Sequence, residues 1–154
     1  MIKKHFTPTA SPLSPRGYAI LAIEQWELIK TGTDKRHAYA EVVANNWIDS
    51  NTTSGYPCFI CDLMEEVHGY KEMCTGCMNA DIWGSGRKCY QQGTSYSEYA
   101  ENRNKDLEAL LAENVLHDLR RFKDDLTYKI VDGFVLAHDH NLLDNENVIR
   151  SMGA

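Results

Sequence analysis

The sequence predicts a mainly helical α+β fold, built as a single domain over residues 1–154. Three patterns predict this class. Apolar residues recur every three to four positions in two long stretches, which is the period of an amphipathic helix. A stretch rich in cysteine and glycine separates them, and β-branched and aromatic residues flank an Asp-Gly pair near the end of the chain. We therefore expect an N-terminal helix pair, a zinc-stapled loop-rich segment, a long helix and a C-terminal β-hairpin, in that order.

The first helix follows an irregular arm, which the prolines, serines and threonines of residues 1–14 predict. Ser14 is a favourable helix cap and Pro15 suits the first helical position, so we expect the helix to begin there. Thr31 and Gly32 predict its end. The predicted apolar side consists of Ala19, Ala22, Ile23, Trp26 and Ile29.

A second helix is predicted over residues 34–49, with Thr33 as its cap. Its apolar stripe is Tyr39, Val42, Val43 and Trp47. We interpret Trp26 and Trp47 as core residues that bring the two helices together. A DNA-binding helix–turn–helix is the alternative, and the near-balanced charge of residues 1–50 disfavours it.

The cysteine segment, residues 55–93, contains "CFICDLMEEVHGYKEMCTGC", in which two Cys-x-x-Cys pairs are separated by twelve residues. Each pair presents two sulfurs on one tight turn, and two pairs supply the four ligands of a tetrahedral zinc ion. The sequence therefore predicts a closed, structural zinc site formed by Cys58, Cys61, Cys74 and Cys77. Since structural zinc contributes roughly 10–16 kcal/mol in small modules, we expect a strong chelator to unfold this segment.

The sequence is also compatible with other ligand sets and metals. Cys89 could replace Cys74 or Cys77 as a ligand or remain a free thiol, and His68 could enter the coordination shell. An iron–sulfur cluster is an alternative to zinc, although the spacings match neither common ferredoxin pattern. A thioredoxin-like redox site is disfavoured, because no βαβ pattern accompanies the cysteines.

A long helix is predicted over residues 95–126, opened by a capping box between Ser95 and Glu98. Its apolar face is Leu107, Leu111, Val115, Leu119, Phe122 and Leu126. The β-hairpin is predicted over residues 127–138, around Asp132 and Gly133.

The order of these elements resembles a loose group of small bacteriophage and prophage zinc-binding proteins of unassigned function. The resemblance rests on "AIEQWELIKTG", "CFIC", "CTGC", "GRKC" and "SYSEYAENRN" and covers roughly residues 17–125. In that group a proline often follows the second cysteine pair, where this chain has Met78. The resemblance implies a viral protein acting in the cytoplasm of an infected bacterium, and it implies no catalytic residue.

Composition constrains the partners. The net charge is −6 and no segment is a basic patch, so nucleic acid is disfavoured. No signal peptide and no membrane-length apolar run are present, which predicts a cytoplasmic protein without a membrane partner. We therefore expect a non-enzymatic protein that acts by binding a host protein, in host takeover or in countering host defence.

The sequence is also compatible with three other functions. Arg87, Lys88 and Arg103, with nearby tyrosines, could line a pocket for an anionic ligand such as a nucleotide signal. The cysteine pairs are also compatible with a zinc module that binds nucleic acid. A ββα-metal nuclease would use His138 and His140 of "AHDHN", but this element follows the second cysteine pair instead of lying between the pairs.

Overall fold

The computed structural model of the protein describes residues 15–45, 56–79, 81–84 and 86–124. Within these ranges the chain forms α-helices and two short 3-10 turns. The helices are Pro15–Lys30 (α1), Lys35–Asn45 (α2), Phe59–His68 (α3), Met73–Asn79 (α4), Ser95–Glu101 (α5) and Glu108–Asp124 (α6). The 3-10 turns are Tyr70–Glu72, directly before α4, and Lys105–Leu107, directly before α6.

The predicted α+β class is wrong, because the described residues are mainly helical and include no strand. Helix packs on helix throughout this part of the chain, so its core is closed without a sheet. The arm at 1–14 and the hairpin predicted at 127–138 lie outside the described residues. No helix among the described residues is long and apolar enough to span a membrane.

The core lies between α1 and α6, which pack along each other, with α2 and α3 against α1 and α5 against α6. The buried side chains of α1 are Tyr18, Ala19, Leu21, Ala22, Gln25, Trp26 and Ile29. Those of α6 are Ala112, Val115, Leu116, Leu119 and Phe122. Both rows have helical spacing, so each helix turns one apolar side inward and leaves its charges in water.

The predicted limits of α1 are confirmed, since it begins at Pro15 and ends at Lys30. Gly32 follows with φ +111°, a backbone conformation that residues other than glycine rarely adopt. Helix α2 is capped by Asp34 and not by Thr33, because Asp34 Oδ1 accepts a hydrogen bond of 3.0 Å from the backbone N–H of His37. Trp47 lies outside the described residues.

The single helix predicted over 95–126 is divided in two. The Asn104 backbone N–H donates to Asn102 Oδ1 at 3.1 Å, and Asn104 Oδ1 accepts from the Asp106 N–H at 2.9 Å. Short polar side chains that bind nearby backbone compete with the helical ladder. Helix α5 therefore ends at Glu101, and α6 begins only after the second 3-10 turn.

The cap of α5 is Thr94, one residue before the predicted Ser95. Thr94 Oγ1 accepts from the Ser97 backbone N–H at 3.0 Å, and Ser97 Oγ donates to the Thr94 carbonyl at 3.0 Å. Ser95 instead donates from Oγ to Asp118 Oδ2 on α6, at 2.5 Å. The predicted capping box is therefore wrong by one position, and its serine links the two helices.

The cysteine segment is more helical than its glycine content predicts. Helix α3 places four of its apolar side chains in the core: Phe59, Ile60, Leu63 and Met64. Helix α4 turns back onto α3, and a Cβ on Gly76 would overlap with the ring of His68. Glycine at this position therefore allows the end of α3 to approach α4 closely.

Candidate metal centre

The five cysteines lie on three chain segments that meet beside the core. Cys58 caps α3 in an extended conformation, and Cys61 follows within the first turn of that helix. Cys74 and Cys77 share one face of α4, three residues apart. Cys89 belongs to the loop that leads into α5. Both Cys-x-x-Cys pairs therefore sit on short helices, and a single loop brings in the fifth thiol.

A small cavity lies between these segments. Its volume is about 20 Å³, and it is lined by Cys61, Met64, Met73, Cys74, Cys77, Lys88 and Cys89. A cavity of roughly 10–15 Å³ by this measure already holds one water molecule, so there is room for one ion. Four of the seven lining residues are cysteines, and the cysteine thiolate is a preferred zinc ligand.

The donors do not yet converge in this geometry. Among the described residues no group of three or more His, Cys, Asp or Glu side chains is placed to hold a metal ion. A cysteine side chain has one rotatable bond with three staggered positions, so its sulfur can be redirected without moving the backbone. The residues around the cavity suit a thiophilic cation, and coordination would require the thiols to turn inward.

The cysteine thiols shift one another's pKa values. A hydrogen bond from Cys61, helped by the charge of Lys35, lowers the pKa of Cys58 to about 7. The same pairing with Cys58, together with burial, raises the pKa of Cys61. Burial raises the pKa of Cys77, and it raises the pKa of Cys89 to about 11. The raised pKa values keep these thiols protonated. A bound divalent cation would favour the thiolate form instead, because a coordinating thiol loses its proton outright.

Lys35 is a partly buried cation at the edge of the cysteine cluster. Its ammonium donates to the Tyr96 hydroxyl and lies 4.4 Å from the centre of that ring. Burial by itself would lower the pKa of Lys35, but Cys58, Tyr96 and Cys61 outweigh it, so this pKa is raised. Lys35 therefore keeps its positive charge beside the thiols.

Gln25 fixes Lys35 in this position. Its side chain is 1% exposed, and Nε2 donates both to the Lys35 carbonyl at 3.1 Å and to the Pro57 carbonyl at 2.9 Å. One buried amide thus joins the start of α2 to the residue before Cys58. The first cysteine pair is in this way attached to the core by hydrogen bonds.

Two further polar contacts surround the cluster. Trp83 Nε1 donates to Cys77 Sγ at 3.1 Å. Tyr39 donates from its hydroxyl to Oδ2 of the buried Asp62 at 2.6 Å. Donors that hydrogen-bond a sulfur and groups that orient a ligand-bearing helix are the outer-shell contacts that tune metal sites.

The other predicted site residues occupy different positions. His68 is exposed and packs against Gly76 of α4, outside the wall of the cysteine cavity. Lys88 is part of that wall, whereas Arg87 donates from Nη1 to the Gln92 carbonyl at 2.5 Å within its own loop. Arg103 lies at the break between α5 and α6. His138 and His140 lie outside the described residues.

A second, open cavity of about 560 Å³ runs along the outer side of α6. It is lined by Glu113, His117, Arg120, Arg121 and Asp124. Its charges have both signs, and Arg121 is already engaged, donating from Nη2 to the carbonyls of Asp81 and Ile82 at 3.1 and 2.8 Å. This face has the mixed character of a solvated helix surface.

The roles of Lys35, Gln25 and Trp83 were missed by sequence reasoning. Gln25 carries the one readable signal, because it interrupts the apolar side of α1 next to Trp26 and a buried amide needs partners. Lys35 is brought to the cysteines by tertiary packing, whereas Trp83 is a local neighbour that follows Cys77 by six residues. Compared with known proteins, the chain matches no protein family, no curated protein and no solved structure.

Proposed function

We propose that this protein is a small zinc-stabilised binding protein of phage type. It acts without catalysis, by occupying a host protein in the cytoplasm of an infected bacterium. Its structural zinc is held by the cysteine segment, and its surface next to that zinc contacts the partner.

One observation carries the proposal of a protein partner. Each of the three segments that bear cysteines also bears an exposed tyrosine: Tyr56 is 50% exposed, Tyr70 59% and Tyr90 59%. Tyr56 precedes Cys58 by two residues, Tyr70 precedes α4, and Tyr90 follows Cys89 directly. The hydroxyl groups of Tyr56 and Tyr70 hydrogen-bond to each other, which raises the pKa of Tyr56. We call Tyr56, Tyr70 and Tyr90 the tyrosine set.

Exposed tyrosines of this kind favour a protein partner. Tyrosine is enriched at protein interfaces, where it buries a large apolar ring at a small entropic cost and still offers a hydroxyl for hydrogen bonding. A metal ion that joins the three segments would hold the tyrosine set in one arrangement before binding. Such preorganisation increases affinity because less order is lost on association.

Charge favours a protein over a nucleic acid. The chain carries a net charge of −6, which repels a phosphate backbone. Lys88 lines the cysteine cavity together with four thiols, and Arg87 is bonded to the Gln92 carbonyl within its own loop. The anionic-ligand and nucleic-acid functions are therefore less well supported than protein binding.

The test is affinity capture from lysate of a bacterial host, with the wild type and a variant in which Tyr56, Tyr70 and Tyr90 are all changed to serine. We expect one host protein to be enriched by the wild type and lost with the variant. The matched control is Asn114→Ser, a change at an exposed position of α6 that should retain the partner. Repeated failure to enrich a specific partner, or full retention by the triple variant, would contradict the proposal.

A further inference from the structure

The cysteine cavity is not lined by the four cysteines of the two Cys-x-x-Cys pairs. Its wall contains Cys61, Cys74, Cys77 and Cys89, and Cys58 is not part of it. We infer that Cys89, and not Cys58, completes a four-thiolate site for a thiophilic divalent cation such as zinc. This inference rests on the proposed zinc staple and specifies its ligands.

Cys58 lies close to the other thiols but does not line the cavity. Cys58 is the cap residue of α3, whereas Cys61 lies one turn further along, where Met64 of the same helix also reaches the cavity. The Cys58 thiol is engaged by the Cys61 thiol on one side and faces the Lys35 ammonium. Cys58 therefore belongs to the outer surroundings of the cavity, as a partner of a ligand.

The loop that carries Cys89 is held in shape by its own hydrogen bonds. The Cys89 carbonyl accepts from Thr94 Oγ1 at 2.6 Å, and the Lys88 backbone N–H donates to Gln91 Oε1 at 2.6 Å. Thr94 is 1% exposed and also caps α5. Cys89 is thus presented from a fixed turn, which lowers the entropic cost of using it as a ligand.

The charges around the cavity match a four-thiolate centre. Four thiolates around one divalent cation leave two formal negative charges, which a partly buried site must offset. Lys88 lies in the wall and Lys35 faces Cys58 and Cys61, so the surroundings provide two positive charges. Trp83 Nε1 adds an N–H donor to Cys77 Sγ at 3.1 Å.

The consequence is a link between parts of the chain that the two cysteine pairs alone would not join. A metal held by Cys58, Cys61, Cys74 and Cys77 would connect only α3 and α4. With Cys89 as a ligand, the same ion also fixes the loop before α5, where Tyr90 is exposed. One metal ion would then hold all three segments of the tyrosine set.

The experiment is a titration of the full-length protein with cobalt(II) and zinc(II), comparing the wild type with the five single Cys→Ser variants. Thiolate-to-cobalt absorbance counts the bound sulfurs, and competition with a chromophoric chelator measures zinc affinity. For Cys89→Ser we expect one thiolate of four to be lost, and zinc affinity to fall by at least about 10-fold, the lower end of what outer-shell changes cause. Cys58→Ser is the comparison variant and should keep the full four-thiolate absorbance, since it removes no ligand. Its zinc affinity should fall less than that of Cys89→Ser, because Cys58 acts on the site only through Cys61.

Loss of a thiolate in Cys58→Ser with an unchanged Cys89→Ser spectrum would overturn the inference. An equal loss of thiolate absorbance in both variants would also overturn it. A wild type that binds neither metal would instead overturn the zinc staple itself, so the two failures are distinguishable. A second measurement uses the wild type alone and does not depend on the folding of any variant. With N-ethylmaleimide and mass spectrometry, we expect zinc to protect Cys89 and the exposed Cys74, and to leave Cys58 reactive. Protection of Cys58 with continued labelling of Cys89 would contradict the ligand assignment.

Discussion

The α1–α6 helix pair and the cysteine segment are held together in different ways. The helix pair buries two long apolar rows against each other, including Trp26 on α1 and Leu119 on α6. In the cysteine segment, α3 joins this core. Helix α4 is only seven residues long, and the apolar side chains that it buries are Met73 and Cys77. A helix this short has little stability of its own, so its position depends on tertiary contacts.

The difference indicates which part of the protein the proposed metal ion would stabilise most. Helix α3 is anchored by four apolar side chains and by the Gln25 hydrogen bond to Pro57. Helix α4 packs mainly on α3 and on the preceding 3-10 turn. The loop at 86–94 is held mainly by its own short hydrogen bonds. We therefore expect metal binding to matter most for α4 and this loop, and least for α1 and α6.

The largest expected effect is that of removing the proposed zinc ion. A strong chelator should unfold α4 and the loop that carries Cys89, because structural zinc contributes roughly 10–16 kcal/mol in small modules. Hydrogen exchange measured by region should show loss of amide protection over residues 70–93, whereas α1 and α6 keep their protection. This narrows the sequence-based expectation, in which all of residues 55–93 would unfold.

Restoring zinc provides the control, since protection over 70–93 should then return. Unchanged protection there after complete metal removal would contradict a structural role for the metal. Equal loss in α1 and α6 would contradict the division into two regions.

The next largest effect is expected in the helix pair. Leu119→Ala opens a cavity at a side chain that is 0% exposed, which should lower the free energy of unfolding by about 2–5 kcal/mol. Leu110→Ala on the same helix is the matched control, because Leu110 is 59% exposed and its loss should change stability by at most about 0.5 kcal/mol. Urea unfolding measures both. Similar losses in the two variants would contradict the packing described for α6.

The smallest effect concerns the ion pairs on the surface of the helix pair. Glu113 accepts from Lys30 at 2.9 Å and from Arg120 at 3.0 Å, and these bonds hold its pKa below the ordinary value of 4.5. The resulting stabilisation is complete above that value and is lost as the pH falls through the lowered pKa. Glu113→Gln should therefore destabilise the protein at neutral pH by at most about 1 kcal/mol, since these groups are largely solvated.

Unfolding experiments with Glu113→Gln at neutral and at acidic pH check this sign. The difference in stability between wild type and variant should shrink at acidic pH and in high salt. A difference that grows on acidification would contradict the ion-pair explanation.

Local patterns predicted several features correctly. The limits of α1 follow from Pro15 at its start and Gly32 after its end, because both residues have strong conformational preferences. The buried face of α6 was predicted in part, since Val115, Leu119 and Phe122 are buried as helical spacing indicated. Leu107 was also expected on this face, but it lies in the 3-10 turn before α6 and is 42% exposed. The caps were displaced by one residue, to Asp34 and Thr94, because neighbouring polar residues are nearly equivalent as caps. The break after α5 was missed because it depends on Asn102 and Asn104 binding nearby backbone.

By itself, the sequence determined that this chain forms amphipathic helices and that two Cys-x-x-Cys pairs lie in one segment, since both are properties of local spacing. Only the tertiary structure decided which side chains share the cavity. It placed Cys89 in the wall and left Cys58 outside, and it brought Lys35 and Trp83 to the thiols from distant or irregular parts of the chain. The position of Lys35 depends on how α1, α2 and α3 pack, and the cavity depends on how α4 and the loop before α5 meet α3. A spacing rule contains no information about either.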